Sequence, residues 1–204
     1  MDVSNKIAEK ARELFFRHGI RSITMDDIAS QMGISKKTIY IFYNNKNSLV
    51  EHVVDKEISE NRSTISALLN DSADVIPNLL SVIINAKKLY LKFNGIIYDL
   101  EKYHNLAYQK LNFYKNDFVS CSIKNTICRG IEQHVFQNDF DIDVISAFFN
   151  QSLEKIAIDK LQVQAVSSFD SLPIYYDLFA CLLRSIATLQ GFELIGDLKK
   201  RIVL

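Results

Sequence analysis

Two lysines, a threonine and a tyrosine stand close together in Lys36-Lys37-Thr38-Ile39-Tyr40, and Lys46 follows one short loop later. Ammonium groups neutralise phosphates and can donate to guanine, the hydroxyls of Thr38 and Tyr40 can donate to phosphate oxygens, and a threonine methyl can touch thymine. At Lys46 a new helical stretch begins, where the ammonium and nearby free amides can hold one more phosphate. Such a set suits a polyanion. On charge alone, two lysines are better read as a solvated face with Tyr40 as a half-buried core edge, so the elements that carry these residues must decide.

Those elements read as three short helices. Along "SNKIAEKARELFFRHGI" the residues Ile7, Ala11, Leu14 and Phe15 recur at helical spacing and give one buried stripe. Arg17 and His18 fall in the last turn, where cations suit the helix dipole, and Gly19 can take a left-handed C-cap. Thr24 opens "TMDDIASQM" as an N-cap, with Asp26 and Asp27 in the favourable first turn. Gly33 breaks that helix after barely two turns, and Ser35 can cap another from Lys36. Two short helices joined by a tight glycine turn, with a small Ala29 at the point of close approach, make a helix-turn-helix, whose second helix enters the major groove of DNA.

At this point the residues match a family. The stretch from Ile7 to Leu49 resembles the amino-terminal domain of the tetracycline-repressor (TetR) family of bacterial transcriptional regulators. The likeness rests on Ala-x-x-Leu-Phe, Gly19, Thr24-Met25, Ile28-Ala29, Gly33-Ile34-Ser35-Lys36, Thr38-Ile39-Tyr40, Lys46 and Leu49. The resemblance implies an all-α protein: a three-helix DNA-binding domain with a helix-turn-helix over residues 1–46, then an all-helical ligand-sensing and dimerisation domain over 47–204. Thr24, Ser35, Lys36, Lys37, Thr38, Tyr40 and Lys46 are the candidate DNA contacts. Two positions depart from the family pattern. Phe42 and Tyr43 stand in reverse order, which removes a phosphate donor at 42, and Lys37 replaces a residue that is commonly small.

Composition and charge agree. The net charge is zero, yet residues 1–50 hold eight Lys or Arg against five acids, leaving sixteen against nineteen for the rest. A basic end on an acidic chain points to one end meeting the polyanion. No apolar run reaches about 18 residues, so no membrane span is expected, and the amino terminus lacks a secretory core, which favours the cytoplasm. Three cysteines without paired spacing suit reduced thiols in a helical core. No P-loop, Gly-x-Ser-x-Gly, His-Glu-x-x-His or paired-cysteine zinc motif occurs, so the chain reads as a non-enzyme without a cofactor.

Beyond Asn47 the pattern stays helical. One helix of about 24 residues runs from Lys46, another follows Asp74 with Pro77 in its first turn, and a long one spans about Asn105 to Val135. Between Tyr90 and Phe118 eight of 29 residues are aromatic, against 11% for the chain, which suits a thick core or an apolar pocket with a few polar fixing points. Tyr103, Tyr114, Phe118 and Asn125 are the candidate pocket residues, with a core role as the alternative. Two last helices, about 143–160 and 172–189, are apolar over more than one stripe and need a second face covered. A two-fold copy is the economical cover. The resemblance implies the same intersubunit bundle, and Phe149, Leu153, Leu178, Leu182 and Ile186 are the candidate interface. The expected partners are thus an operator duplex, a second copy and a small apolar or amphipathic effector. The competing reading is an architectural or protein-recruited DNA-binding protein without a small-molecule ligand.

Overall fold

The structure is a computed structural model that describes residues 2–71, 74–158 and 172–202, the side chains at 71, 153–158, 172–178 and 198–202 excepted. It is all-helical among the described residues, apart from one isolated antiparallel bridge between Phe136 and Ala187. The chain packs as two compact units, Met1–Arg62 with Lys88–Tyr114, and Ser63–Lys87 with Lys115–Leu204. A boundary after residue 46 does not coincide with this division.

In the first unit α1 (Val3–His18), α2 (Met25–Met32) and α3 (Lys36–Phe42) form the amino-terminal domain. Ile7, Ala11, Leu14 and Phe15 bury the stripe of α1 against Ile28 and Ala29 of α2 and Ile39 of α3. The helix α4 (Lys46–Asp71) adds Leu49, Val50, Val53 and Val54 to this core. The helix α5 (Val75–Asn94) brings Phe93, whose ring meets Phe16 edge-on at 5.3 Å. The unit is completed by α6 (Ile97–Tyr103) and α7 (Asn105–Tyr114). Gly19 ends α1 at φ 82° and ψ 150°. That is a glycine conformation but not the left-handed helical cap, and it turns the chain sharply into the α1–α2 loop.

An ionic node the sequence does not mark ties three of these helices. Glu57 of α4 is buried, and its carboxylate accepts from Arg12 of α1 and Lys92 of α5. Arg12 also reaches Glu9, which pairs with Lys56 at 2.6 Å.

In the second unit the expected long helix is interrupted. After α7 comes a π-helical turn, Lys115–Val119, then α8 (Ser120–Glu132). A π-turn leaves backbone carbonyls short of helical partners. Here Asn150 of α9 (Ile142–Ile158) supplies one, donating through Nδ2 to the Lys115 carbonyl at 3.3 Å and to Ser120 Oγ at 2.9 Å. His134, at φ 57°, stops the helix. The next residues then pair with the end of α10 (Leu172–Ile186): Gln137 N–H donates to the Ile186 carbonyl at 2.8 Å. That corner also breaks the expected last helix, and a further helix, α11 (Leu189–Ile202), follows it. Cys121 and Cys181 are exposed and Cys128 is half-buried, so the thiols do not form the buried set expected.

Candidate nucleic-acid interface

The two helices of the turn motif are capped as their residues dictate. The Thr24 hydroxyl accepts from the Asp27 N–H at 3.2 Å and donates to Asp27 Oδ2 at 2.6 Å, while the Thr24 N–H donates to the same oxygen at 2.7 Å. The first of the causes holding the Asp27 carboxyl below its ordinary range is this hydroxyl bond. Gly33, at φ 64° and ψ 30°, is left-handed and closes α2. Ser35 Oγ accepts from the Thr38 N–H at 3.1 Å and starts α3. Ile39 has no exposed surface. The opposite face of α3 is therefore the one offered outward.

On that face the candidates divide into committed and free groups. Lys36 pairs with Asp26 at 2.6 Å, and this bond, with both partners exposed, raises the lysine above its ordinary value. Water and salt weaken such a pair, so a phosphate can compete for the ammonium. Thr38 Oγ1 lies 2.8 Å from Ser35 Oγ, and the Thr24 hydroxyl is held within its cap. Lys37 and Tyr40 are exposed and carry no such bond to a described residue. Lys46 behaves differently from expectation. Its ammonium donates to the Ile20 carbonyl at 2.6 Å, and burial pushes its pKa below the ordinary value despite Asp99 and Asp27 nearby. It first holds the α1–α2 loop, and only its remaining N–H groups are left for a phosphate. The same loop is held from α6, where Asp99 accepts from the Arg21 N–H at 2.9 Å.

The reversed aromatic pair has a structural outcome. Tyr43 is buried, its hydroxyl donating to the Ser4 carbonyl at 3.2 Å and accepting from Ser4 Oγ at 3.0 Å. Phe42 and Ile41 are exposed instead, Ile41 by 71%. Ile41 escapes a search for hydrogen-bond donors, although its place four residues after Lys37 marks it.

The profile of the bacterial regulatory proteins of the tetR family matches residues 7–53, the segment that carries every candidate DNA contact named above. The amino-terminal domain is a tetR-family domain. An uncharacterised HTH-type transcriptional regulator of Bacillus subtilis strain 168, YvaF, is 33% identical over 95 residues. That match takes in 46% of this chain and spans half the length of the relative. Two solved structures share the fold over nearly the whole chain. A TetR-family regulator from Marinobacter aquaeolei VT8 is 18% identical, with 98% of each chain covered and a TM-score of 0.74. A regulator from Saccharomonospora viridis, solved in complex with choline, is 20% identical, with 91% of this chain and 97% of that one covered and a TM-score of 0.78.

Behind the tetR-family domain the other candidates fall differently from expectation. Tyr103 is exposed, with the Arg21 guanidinium 5.4 Å from its ring centre, and Asn125 is exposed on α8, so neither is a buried pocket wall. Tyr114 is 1% exposed and its hydroxyl donates to Asn61 at 2.7 Å, which makes it core of the first unit. Burial pushes that phenol far above its ordinary value. Phe118 is half-buried in the π-turn. Of the interface candidates, Phe149 and Ile186 are buried within their own chain, Leu182 is half-buried, and the side chains of Leu153 and Leu178 lie outside the described residues. One helical step turns a side chain by about 100°. Phe148, beside the buried Phe149, accordingly faces out at 51% exposure, as does Val144 one turn earlier. A cavity of about 420 Å³ in the second unit is lined by Asn116, Ser120, Lys124, Asp143, Ala147 and Asn150 among others. Among the described residues no helix is long and apolar enough to cross a membrane, and no His, Cys, Asp or Glu cluster is arranged to hold a metal ion.

Proposed function

We propose that the chain is a cytoplasmic transcriptional regulator that binds a double-stranded operator as a homodimer and is released from it by a small apolar or amphipathic molecule, acting as a repressor. The observation that carries the reading is the outward face of α3, where Lys37 and Tyr40 are exposed and carry no hydrogen bond to a described residue while Ile39 is buried. Its setting in a tetR-family domain supplies the groove-binding geometry. Dimerisation draws on the exposed stripe Val144, Ala147, Phe148 and Gln151 of α9, spaced as one helix face, with Leu182 of α10. An amphipathic effector the size of choline, the ligand in the Saccharomonospora viridis relative, is small enough for the cavity beside the π-turn, whose wall shares Ala147 and Gln151 with that stripe. The rival reading, recruitment of a protein, draws on Tyr98, Leu106 and Phe113, which are exposed on α6 and α7.

Fluorescence anisotropy against duplexes selected from a random pool tests the operator reading. A folded Lys36→Ala/Lys37→Ala variant should bind more weakly, with the slope of log K against log salt reduced by about 0.9 for each phosphate no longer neutralised. Unchanged affinity and slope in that variant would sink the assignment. Light scattering of the wild type at micromolar concentration should give a dimer, and a well-folded monomer would contradict the two-fold assembly. For release, a thermal-shift screen of small amphipathic compounds is followed by operator binding with each hit. Coupling should be about 1 to 3 kcal/mol and reciprocal between DNA and ligand. Stabilising hits that all leave operator affinity unchanged would favour the recruited-protein reading.

A further inference from the structure

We propose that Lys37 and Ile41 are the base readers of the operator, Lys37 taking a guanine through O6 and N7 and Ile41 the methyl group of a thymine one or two base pairs away. The proposal rests on the operator reading above and assigns its specificity to two residues that the usual donor inventory would rank behind Lys36 and Thr38.

Helix geometry singles out this pair. Successive residues of a helix step by about 100°, so the direction opposite the buried Ile39 falls midway between Lys37 and Ile41, about 20° from each. Tyr40 and Thr38 stand about 80° from that direction, and Lys36 and Phe42 about 120°. A helix lying in the major groove aims its outermost residues at the base edges and its flanks at the two phosphate walls. Both residues of the pair are exposed, and Ile41 stands out among the large apolar side chains of α3. Ile41 is 71% exposed, against 42% for Tyr40 and 41% for Phe42.

Side-chain chemistry selects the same two residues. Lys36 is paired with Asp26, and Thr38 Oγ1 is bonded to Ser35 Oγ, whereas Lys37 has no acidic partner among the described residues. An isoleucine offers no donor or acceptor, so it gains nothing from a phosphate and leaves apolar surface in water when free. The base-edge group that complements it in the major groove is the thymine methyl. Lysine suits the paired acceptors of guanine. Four residues of helix advance about 6 Å, against about 3.4 Å per base pair, which sets the separation of the two base positions at one to two base pairs.

The test uses full-length protein and duplexes selected from a random pool by the wild type, Lys37→Ala, Ile41→Ala and Lys36→Ala. Circular dichroism checks that each variant is folded, as the exposure of all three positions leads one to expect. The wild-type half-site should contain a guanine and a thymine within two base pairs. Lys37→Ala should lose the guanine preference and Ile41→Ala the thymine preference, while Lys36→Ala weakens all duplexes alike. Replacing that thymine by deoxyuridine, which lacks only the methyl, should weaken the wild type about fourfold and leave Ile41→Ala unaffected. A wild-type consensus kept intact by both Lys37→Ala and Ile41→Ala, or equal binding of thymine and deoxyuridine duplexes, overturns the proposal while leaving operator binding standing. If the wild type enriches no duplex, the operator reading falls, and this one with it.

Discussion

Removing the Glu57 carboxylate is the most direct test of how the first unit holds its helices. The side chain is 3% exposed and accepts from Arg12 and Lys92, so it joins α1, α4 and α5. Deleting one member of a fully buried ion pair costs about 3 to 5 kcal/mol, because a charge is left without a partner in a medium that solvates it poorly. Here the two stranded cations are 33% and 35% exposed and can turn toward water. Arg12 also keeps Glu9 at 3.1 Å, and Lys92 keeps the Phe16 ring at 5.7 Å. Those reliefs bring the expected cost of Glu57→Ala to about 2 to 3 kcal/mol, or roughly 4 to 12 °C in Tm for a chain of this size. Thermal melts followed by far-ultraviolet circular dichroism measure it, and Glu57→Gln, which keeps an acceptor of similar shape, should lose less. Arg12→Ala should cost less in the Glu57→Ala background than in the wild type, since touching residues are not additive. A Tm within about 1 °C of wild type for Glu57→Ala, or strict additivity with Arg12→Ala, would refute the node.

Two further outcomes are expected. The two glycines of α11 should respond oppositely to alanine: a Cβ at Gly191 would lie 2.1 Å from the Val135 carbonyl oxygen, whereas at Gly196 it meets nothing within 4 Å. Gly191→Ala should destabilise by about 1 to 3 kcal/mol and Gly196→Ala stabilise by about 0.5 to 1 in urea titrations, and a same-sign result would contradict the packing at the α10–α11 corner. Glu9, held below its ordinary value of 4.5 first by its bond to Lys56, binds protons less readily folded than unfolded. Its contribution is present above that value and lost as pH falls through the lowered folded one, so Glu9→Gln should flatten the acid limb of stability against pH.

What was legible in the sequence is what local chemistry determines. Thr24, Gly33 and Ser35 announce a helix, its stop and the next start without help from the rest of the chain, and the structure places all three in those roles. Groups whose partners come from distant segments were not legible. Glu57 sits in "DKEISEN", which reads as a solvated run until Arg12 and Lys92 arrive from 45 and 35 residues away. Lys46 reads as a free ammonium until the Ile20 carbonyl reaches it. In the second unit the apolar residues of α9 are dense enough that periodicity cannot choose between adjacent phenylalanines. Tertiary packing chooses, burying Phe149 and exposing Phe148.

The exchange of two aromatic residues at the end of α3 shows how little sequence is needed to change the chemistry of a surface. With tyrosine at 43, the hydroxyl turns inward and bonds Ser4, so the end of α3 is fastened to the start of α1. With phenylalanine at 42, that exposed position carries a ring and no donor. Ile41 beside it has none either, so the face of α3 is split along its axis: ammonium and hydroxyl groups at Lys36, Lys37 and Tyr40, then apolar surface at Ile41 and Phe42. A face of donors alone would grip any duplex through its phosphates and discriminate weakly. Apolar surface cannot add to that grip, and its exposure is unfavourable in the free protein. On the operator reading proposed above, apolar groups in the groove compensate it, and in the major groove those are thymine methyls. On that same reading, the missing phosphate donor at position 42 and the apolar surface at Ile41 and Phe42 would together shift the interface from affinity toward selection.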